Sequence, residues 1–249
     1  MSTETPQHAR HLPIEGTHNF RDVGGYPTAH GGAIRWRTLF RSDSLHALTE
    51  AGRRAVEDLG LVTAIDLRYE RELERGPSVL AGHPRIEYRH RPLGPALAPF
   101  EEPAVTYEEL NLYFLDRCQP FVATILGDLA DAGAYPALLS CHAGRDRTGL
   151  IVALLLSLAG VPPDDVVADY VLGGSRAARL LAENPELATA DGYDALTVAT
   201  FLESFPETME RALDHLDHRY GGAEGYVREI GLSDDAIGAI RSALVEPSQ

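Results

Sequence analysis

A chain of 249 residues, 44% hydrophobic and 24% charged, can bury one sizeable core and reads as an ordinary water-facing domain. Its net charge of −15 excludes the basic face that a nucleic-acid or anionic-membrane partner would want, and its longest apolar stretch, Leu150 to Ala159, is too short to span a bilayer. All 22 basic residues are arginine, so any cationic contact must come from arginine, histidine or backbone N–H.

Residues 1 to 12 read as a polar, flexible tail without the basic and apolar segments of a secretory signal, which points to a cytoplasmic protein with no stable membrane association. The clusters Gly24-Gly25-Tyr26-Pro27 and His30-Gly31-Gly32 mark turns, and Ile34 to Arg41 reads as a strand or hairpin arm. Thr49 is placed to cap a helix that runs to Asp58 and stops at Gly60. Leu61 to Ile65 is a β-branched strand ending in Asp66, and Ile86 to Arg91 supplies another. Pro92 to Pro103 is a proline-rich loop. Tyr107 to Asp131 carries helical apolar spacing broken by Pro120, and residues 92–131 either form a lid over a site or pack their Tyr107, Leu110, Tyr113, Phe114 stripe on the sheet. Pro136 to Cys141 is a short apolar strand, Gly149 to Ala159 a helix, and the chain is largely helical thereafter. Alternating strands and helices predict an α/β fold, a central and mainly parallel sheet flanked by helices. No linker or repeat interrupts it, so residues 1–249 read as one domain.

The most informative stretch joins that strand to that helix: Ser140-Cys141-His142-Ala143-Gly144-Arg145-Asp146-Arg147-Thr148-Gly149. Cysteine and arginine stand six positions apart across a glycine-containing loop that ends at a helix N-terminus. Unpaired N–H groups and the positive end of the helix dipole favour an anion there. In that field the Cys141 thiol is expected to ionise below its free value of about 8.5, within the range of roughly 3.5–7.5 of activated cysteines. Arg147 can then hold two phosphoryl oxygens with its planar fork. A buried inert cysteine beside an ordinary arginine would explain either residue alone, but not their combination with Gly144, Thr148 and Gly149.

These residues form the C-x5-R-T signature of cysteine-dependent phosphatases, a phosphatase-type loop between strand and helix. Asn19 to Gly25, Arg41-Ser42 with Leu48-Thr49, Asp66-Leu67-Arg68, the Ala143 to Gly149 loop and Asp169 to Leu172 recur in the order of the bacterial tyrosine/serine protein phosphatase family, which this chain resembles from about residue 12 to its C-terminal segment. The resemblance implies hydrolysis of phosphotyrosine, with phosphoserine, phosphothreonine or phosphoinositides as further substrates, through a phosphocysteine and without metal or other cofactor. It implies Cys141 as nucleophile, Arg147 as the phosphate clamp and Asp146, just before the loop arginine, as general acid. Thr148 would donate to the departing sulfur, and His142, Ala143, Gly144 and Arg145 would line the bound phosphate. One departure stands out: relatives place histidine immediately before the cysteine, where this chain has Ser140.

Several residues remain open between two roles. Asp66 and Arg68 follow a strand as Cys141 does, so they are either a second acid and a second phosphate contact or a turn cap and an arginine paired with Glu70 or Glu72. Arg145, where relatives usually carry lysine, either meets a second phosphate or a substrate carboxylate or is simply solvated. Asp146 itself is either that acid or a structural partner of a neighbouring arginine. His215-x-x-His218 has metal-compatible spacing, but amphipathic helices carry such pairs routinely, and we assign no metal. Cys118 either packs in the core or pairs with Cys141; two cysteines make no disulfide framework and fit a reducing compartment. Apart from a phosphatase for phosphoproteins, the readings are a phosphatase of a small metabolite or lipid head group and a module that binds phosphate without turning it over.

Overall fold

The computed structural model describes residues 9–95, 109–183 and 205–248. Its centre is a five-stranded sheet of β1 (Arg21–Asp22), β3 (Leu39–Ser42), β4 (Thr63–Asp66), β5 (Glu87–His90) and β6 (Ala137–Ser140), in the order β1-β3-β6-β4-β5. Only β1 runs antiparallel to its neighbour; β3, β6, β4 and β5 are parallel, so their carboxyl ends share one edge. Side chains of successive residues point to opposite faces of a strand, and the apolar pairs Leu39/Phe40, Ala64/Ile65 and Leu138/Leu139 feed two cores accordingly. One face packs Phe40, Ala64 and Leu138 with Val56 of α1 (Glu50–Asp58). The other packs Leu39, Ile65 and Leu139 under α3 (Leu110–Arg117), α4 (Gln119–Leu129), α5 (Asp146–Leu158), α6 (Pro163–Glu183), α7 (Pro206–Tyr220), α8 (Ala223–Glu229) and α9 (Asp234–Leu244). The short α2 (Glu70–Arg75) lies just beyond β4.

The α/β fold with a mainly parallel sheet is the one expected, with three local corrections. The arm Ile34 to Arg41 divides: β2 (Ala33–Ile34) pairs with β7 (Val245–Glu246) in a separate ribbon, and β3 joins the main sheet. The expected tail begins to be ordered before residue 12, because Asp22 N–H donates to Arg10 O at 2.8 Å, Leu12 N–H donates to Phe20 O at 3.1 Å, and the Arg10 guanidinium sits 3.9 Å from the Tyr26 ring centre. A lid over the whole of 92–131 is also excluded, since Leu110, Phe114 and Leu115 of α3 and Val122, Ile125 and Leu126 of α4 are buried in the core; residues 96–108 lie outside the described part. Cys118 is likewise a buried free thiol, and burial pushes it up to about 11.

Candidate active site

The loop after β6 meets the loops after β3 and β4 at the carboxyl edge of the sheet, where open parallel sheets bind ligands. β6 is the central strand and every residue of it is buried, so Cys141, one position beyond it, sits on the floor of the loop at 2% exposure. Gly144 has φ +64°, and a Cβ there would stand 2.4 Å from Ser42 O, so only glycine lets the loop pass this close to β3.

Three successive loop carbonyls are drawn into the body of the protein. His142 O accepts from Ser44 N–H at 3.0 Å, Ala143 O from Asn19 Nδ2 at 3.0 Å, and Gly144 O from Arg41 Nη2 at 2.8 Å. In a planar trans peptide the C=O and the following N–H point opposite ways, so carbonyls drawn into the body turn the N–H groups of Ala143, Gly144 and Arg145 the other way. Among the described residues, no acceptor meets the amides of Ala143, Gly144, Asp146 and Arg147. That is a nest for an anion, ending at the N-terminus of α5.

Arg147 is held over the loop from outside. Glu72, on the first turn of α2, accepts from both of its terminal nitrogens, at 2.6 and 2.8 Å, and the Tyr69 ring centre lies 4.7 Å from its guanidinium carbon. Burial pushes the Glu72 carboxyl up, but Arg147, the Tyr69 N–H at 2.7 Å and the nearby His142 outweigh it and hold the carboxyl at about 2. The arginine is raised in turn by the carboxylate and by Cys141, against its own burial. Sequence reasoning weighed Glu72 only as a partner of Arg68. The available signal was a glutamate on the first helical turn after Asp66-Leu67-Arg68, where it caps Tyr69 N–H and faces the loop.

Thr148 is wholly buried, and its hydroxyl has no hydrogen-bond partner among the described residues, a cost that a hydrogen bond formed during the reaction would relieve. Tyr69 OH is buried without a partner as well; burial, opposed by Arg147 and joined by Cys118, Glu72 and Cys141, pushes it up to about 12. His142 is exposed at the rim with Nδ1 3.5 Å from Glu72.

Three expected contacts fall elsewhere. Arg68 donates through Nε and Nη2 to Asp66 at 3.0 and 2.7 Å and through Nη1 to Gly76 O at 2.7 Å, while Tyr88 OH donates to Asp66 at 3.0 Å. Both Asp66 and Arg68 are 2% exposed, and in this arrangement they satisfy each other and brace the β4 loop. Asp66 does cap the turn, accepting Arg68 N–H at 3.1 Å. Arg145, expected at a second phosphate, is 1% exposed and folds back on Asp146, with Nη2 at 2.8 Å. Asp146 also accepts from Tyr170 OH at 2.8 Å and keeps 17% of its side chain exposed.

A sequence model described as "Tyrosine phosphatase family" matches residues 12–246. The chain belongs to the tyrosine phosphatase family. It is therefore an enzyme, a protein-tyrosine phosphatase that hydrolyses phosphate monoesters. It is 30% identical to the triple specificity protein phosphatase PtpB of Mycobacterium tuberculosis, over 95% of this chain and 99% of that one. A tyrosine-protein phosphatase of Nostoc commune is 29% identical over 88% of this chain and 78% of its own. Among solved structures, TpbA of P. aeruginosa aligns with a TM-score of 0.37 and 18% identity, over 67% of this chain and 86% of that one.

Proposed function

We propose that this phosphatase works through a phosphocysteine on Cys141. Its sulfur attacks phosphorus, the ester P–O bond breaks, and Asp146 gives a proton to the leaving oxygen; water then attacks phosphorus, the P–S bond breaks, and Asp146 takes the proton back from the water. Arg147 and the amides of His142, Ala143, Gly144, Arg145 and Asp146 hold the equatorial oxygens, and Thr148 donates to the sulfur as it leaves. The carrying observation is the set of carbonyls bound away from the loop, which leaves a ring of amides around a cysteine with Arg147 fixed above it. The Asp146 contact with Arg145 and Tyr170 is the resting arrangement from which the carboxyl turns to the leaving oxygen. No step calls for a metal or cofactor.

The substrates we infer are phosphotyrosine first, then phosphoserine, phosphothreonine and phosphoinositides, in keeping with a relative named for triple specificity. We place the protein in the cytoplasm, on its sequence alone, and read it as a single domain, the latter in keeping with a family match over residues 12–246. No helix among the described residues is long and apolar enough to cross a membrane. Cys141→Ser tests the mechanism: turnover of an aryl phosphate in chelator should fall at least about a thousandfold while phosphate still binds. Residual turnover above that level would overturn the covalent route.

A further inference from the structure

The orientation of the catalytic loop is set by side chains that never belong to it. Asn19 Nδ2 donates to Ala143 O at 3.0 Å and to Gly144 O at 3.1 Å, and Arg41 Nη2 donates to Gly144 O at 2.8 Å and Arg145 O at 3.4 Å. Both grips are themselves fixed. Arg21 Nη1 donates to Asn19 Oδ1, so the amide can present only its NH2 to the loop, because guanidinium has no acceptor. Arg41 Nη1 donates to Asp169 of α6, whose other oxygen faces Arg21 Nε at 3.6 Å. None of the four is more than 1% exposed. Burial pushes the Asp169 carboxyl up, but Arg41 and Arg21 outweigh it and hold it below the usual carboxylate range. A cluster this dry, with two arginines sharing one carboxylate, is a costly way to stabilise a fold. Its geometry has a more specific product: each carbonyl it draws down turns the next N–H toward the anion.

We propose that Asn19 and Arg41 are positioning residues of the dephosphorylation reaction, orienting the amide cradle through the carbonyls of Ala143, Gly144 and Arg145, with Arg21 and Asp169 locking both in place. This rests on the loop being the phosphate cradle. Neither side chain touches substrate; both act through the backbone. A cradle aimed at the five-coordinate phosphorus of the transition state should matter more to that geometry than to ground-state phosphate.

The test compares inhibition constants for orthovanadate, which takes the five-coordinate shape, and inorganic phosphate, in wild type, Asn19→Ala and Arg41→Lys. The lysine variant keeps the charge beside Asp169 while losing the fork, so it provides the measurement if Asn19→Ala does not fold. We expect kcat to fall, the vanadate constant to rise at least about tenfold and the phosphate constant to rise less. A merely structural role lowers the active fraction and kcat but leaves both constants of the surviving enzyme in place. Vanadate constants within about twofold of wild type in every variant that folds would overturn the proposal. A wild-type enzyme indifferent to vanadate would instead sink the phosphate-cradle reading, and this proposal with it.

Discussion

Glu72 and Arg147 show how a functional residue is built by a partner far away in sequence. The carboxylate fixes the guanidinium on two bonds, and charge-assisted bonds of this kind contribute about 1.5–3 kcal/mol. Glu72→Gln, which offers one acceptor and no charge, should therefore reduce kcat/KM by about ten- to a hundredfold, and Arg147→Lys by more, since a point charge cannot form two parallel bonds. Steady-state assays in which Arg147→Lys stays within tenfold of wild type would show the arginine to be structural. Asp146 is checked by varying the leaving group. Nitrophenolate departs without a proton, whereas tyrosine and serine need one, so Asp146→Asn should cost little on nitrophenyl phosphate and about a hundredfold on phosphotyrosine or phosphoserine. Equal losses on all three would take the acid role from Asp146. Cys141, Arg147 and Gly144 were legible because their spacing is local to one loop. Glu72 and Asn19 were not assigned to it, as they reach the loop from 75 and 124 residues away, and the helix-start position of Glu72 and the Asn19 to Gly25 motif do not say which atoms they meet.

Between elements, the contact that sequence could not assign is the one between Asp66 and Arg68, because a substrate contact and a loop brace call for the same two residue types. Their bonds are directed at each other, which favours the brace: they hold the turn that sends the chain from β4 into α2. Arg68→Met should thus destabilise the fold by about 3–5 kcal/mol, since it strands a buried carboxylate, while the folded enzyme keeps its KM for aryl phosphate within about twofold. Denaturant melts and kinetics on the same preparation separate the two effects, and a tenfold rise in KM would return Arg68 to the substrate. Gly144→Ala should do the reverse of Arg68→Met, abolishing turnover with a smaller stability loss of about 1–3 kcal/mol, because the added Cβ meets Ser42 O and forces the loop to move. A Gly144→Ala enzyme with wild-type kcat would show that the loop shifts without consequence. Element starts and ends were read well where side chains cap them: Thr49 accepts Gly52 N–H at 3.1 Å as its position predicted. The arm after Ile34 was misread because the partner of β2 is β7, at the opposite end of the chain, and periodicity carries no sign of it.

For the molecule as a whole, acidity should act on stability and on the site through the same carboxylate. Glu72 is held at about 2 against an ordinary 4.5, so its folded form binds its proton more weakly than its unfolded form does. A group depressed in this way contributes its full stability above about 4.5, and loses that contribution as pH falls toward about 2. Asp169 acts in the same sense from beneath the loop. The remaining charges of a chain at −15 titrate over the same range, so a bare acid melt cannot single out Glu72. Subtracting Glu72→Gln from wild type removes what the two share. Urea unfolding at pH 7 should place wild type above the variant, and the gap should narrow steadily below pH 4.5 until the two curves meet near pH 2, because a protonated glutamate and a glutamine present the same uncharged face to Arg147. Phosphate affinity should follow the same path, with wild type approaching the variant as its carboxylate is protonated and the hold on the guanidinium is lost. A stability gap that stays constant from pH 7 to pH 3 would mean that Glu72 supports the fold by its packing, and that the charge facing Arg147 is incidental.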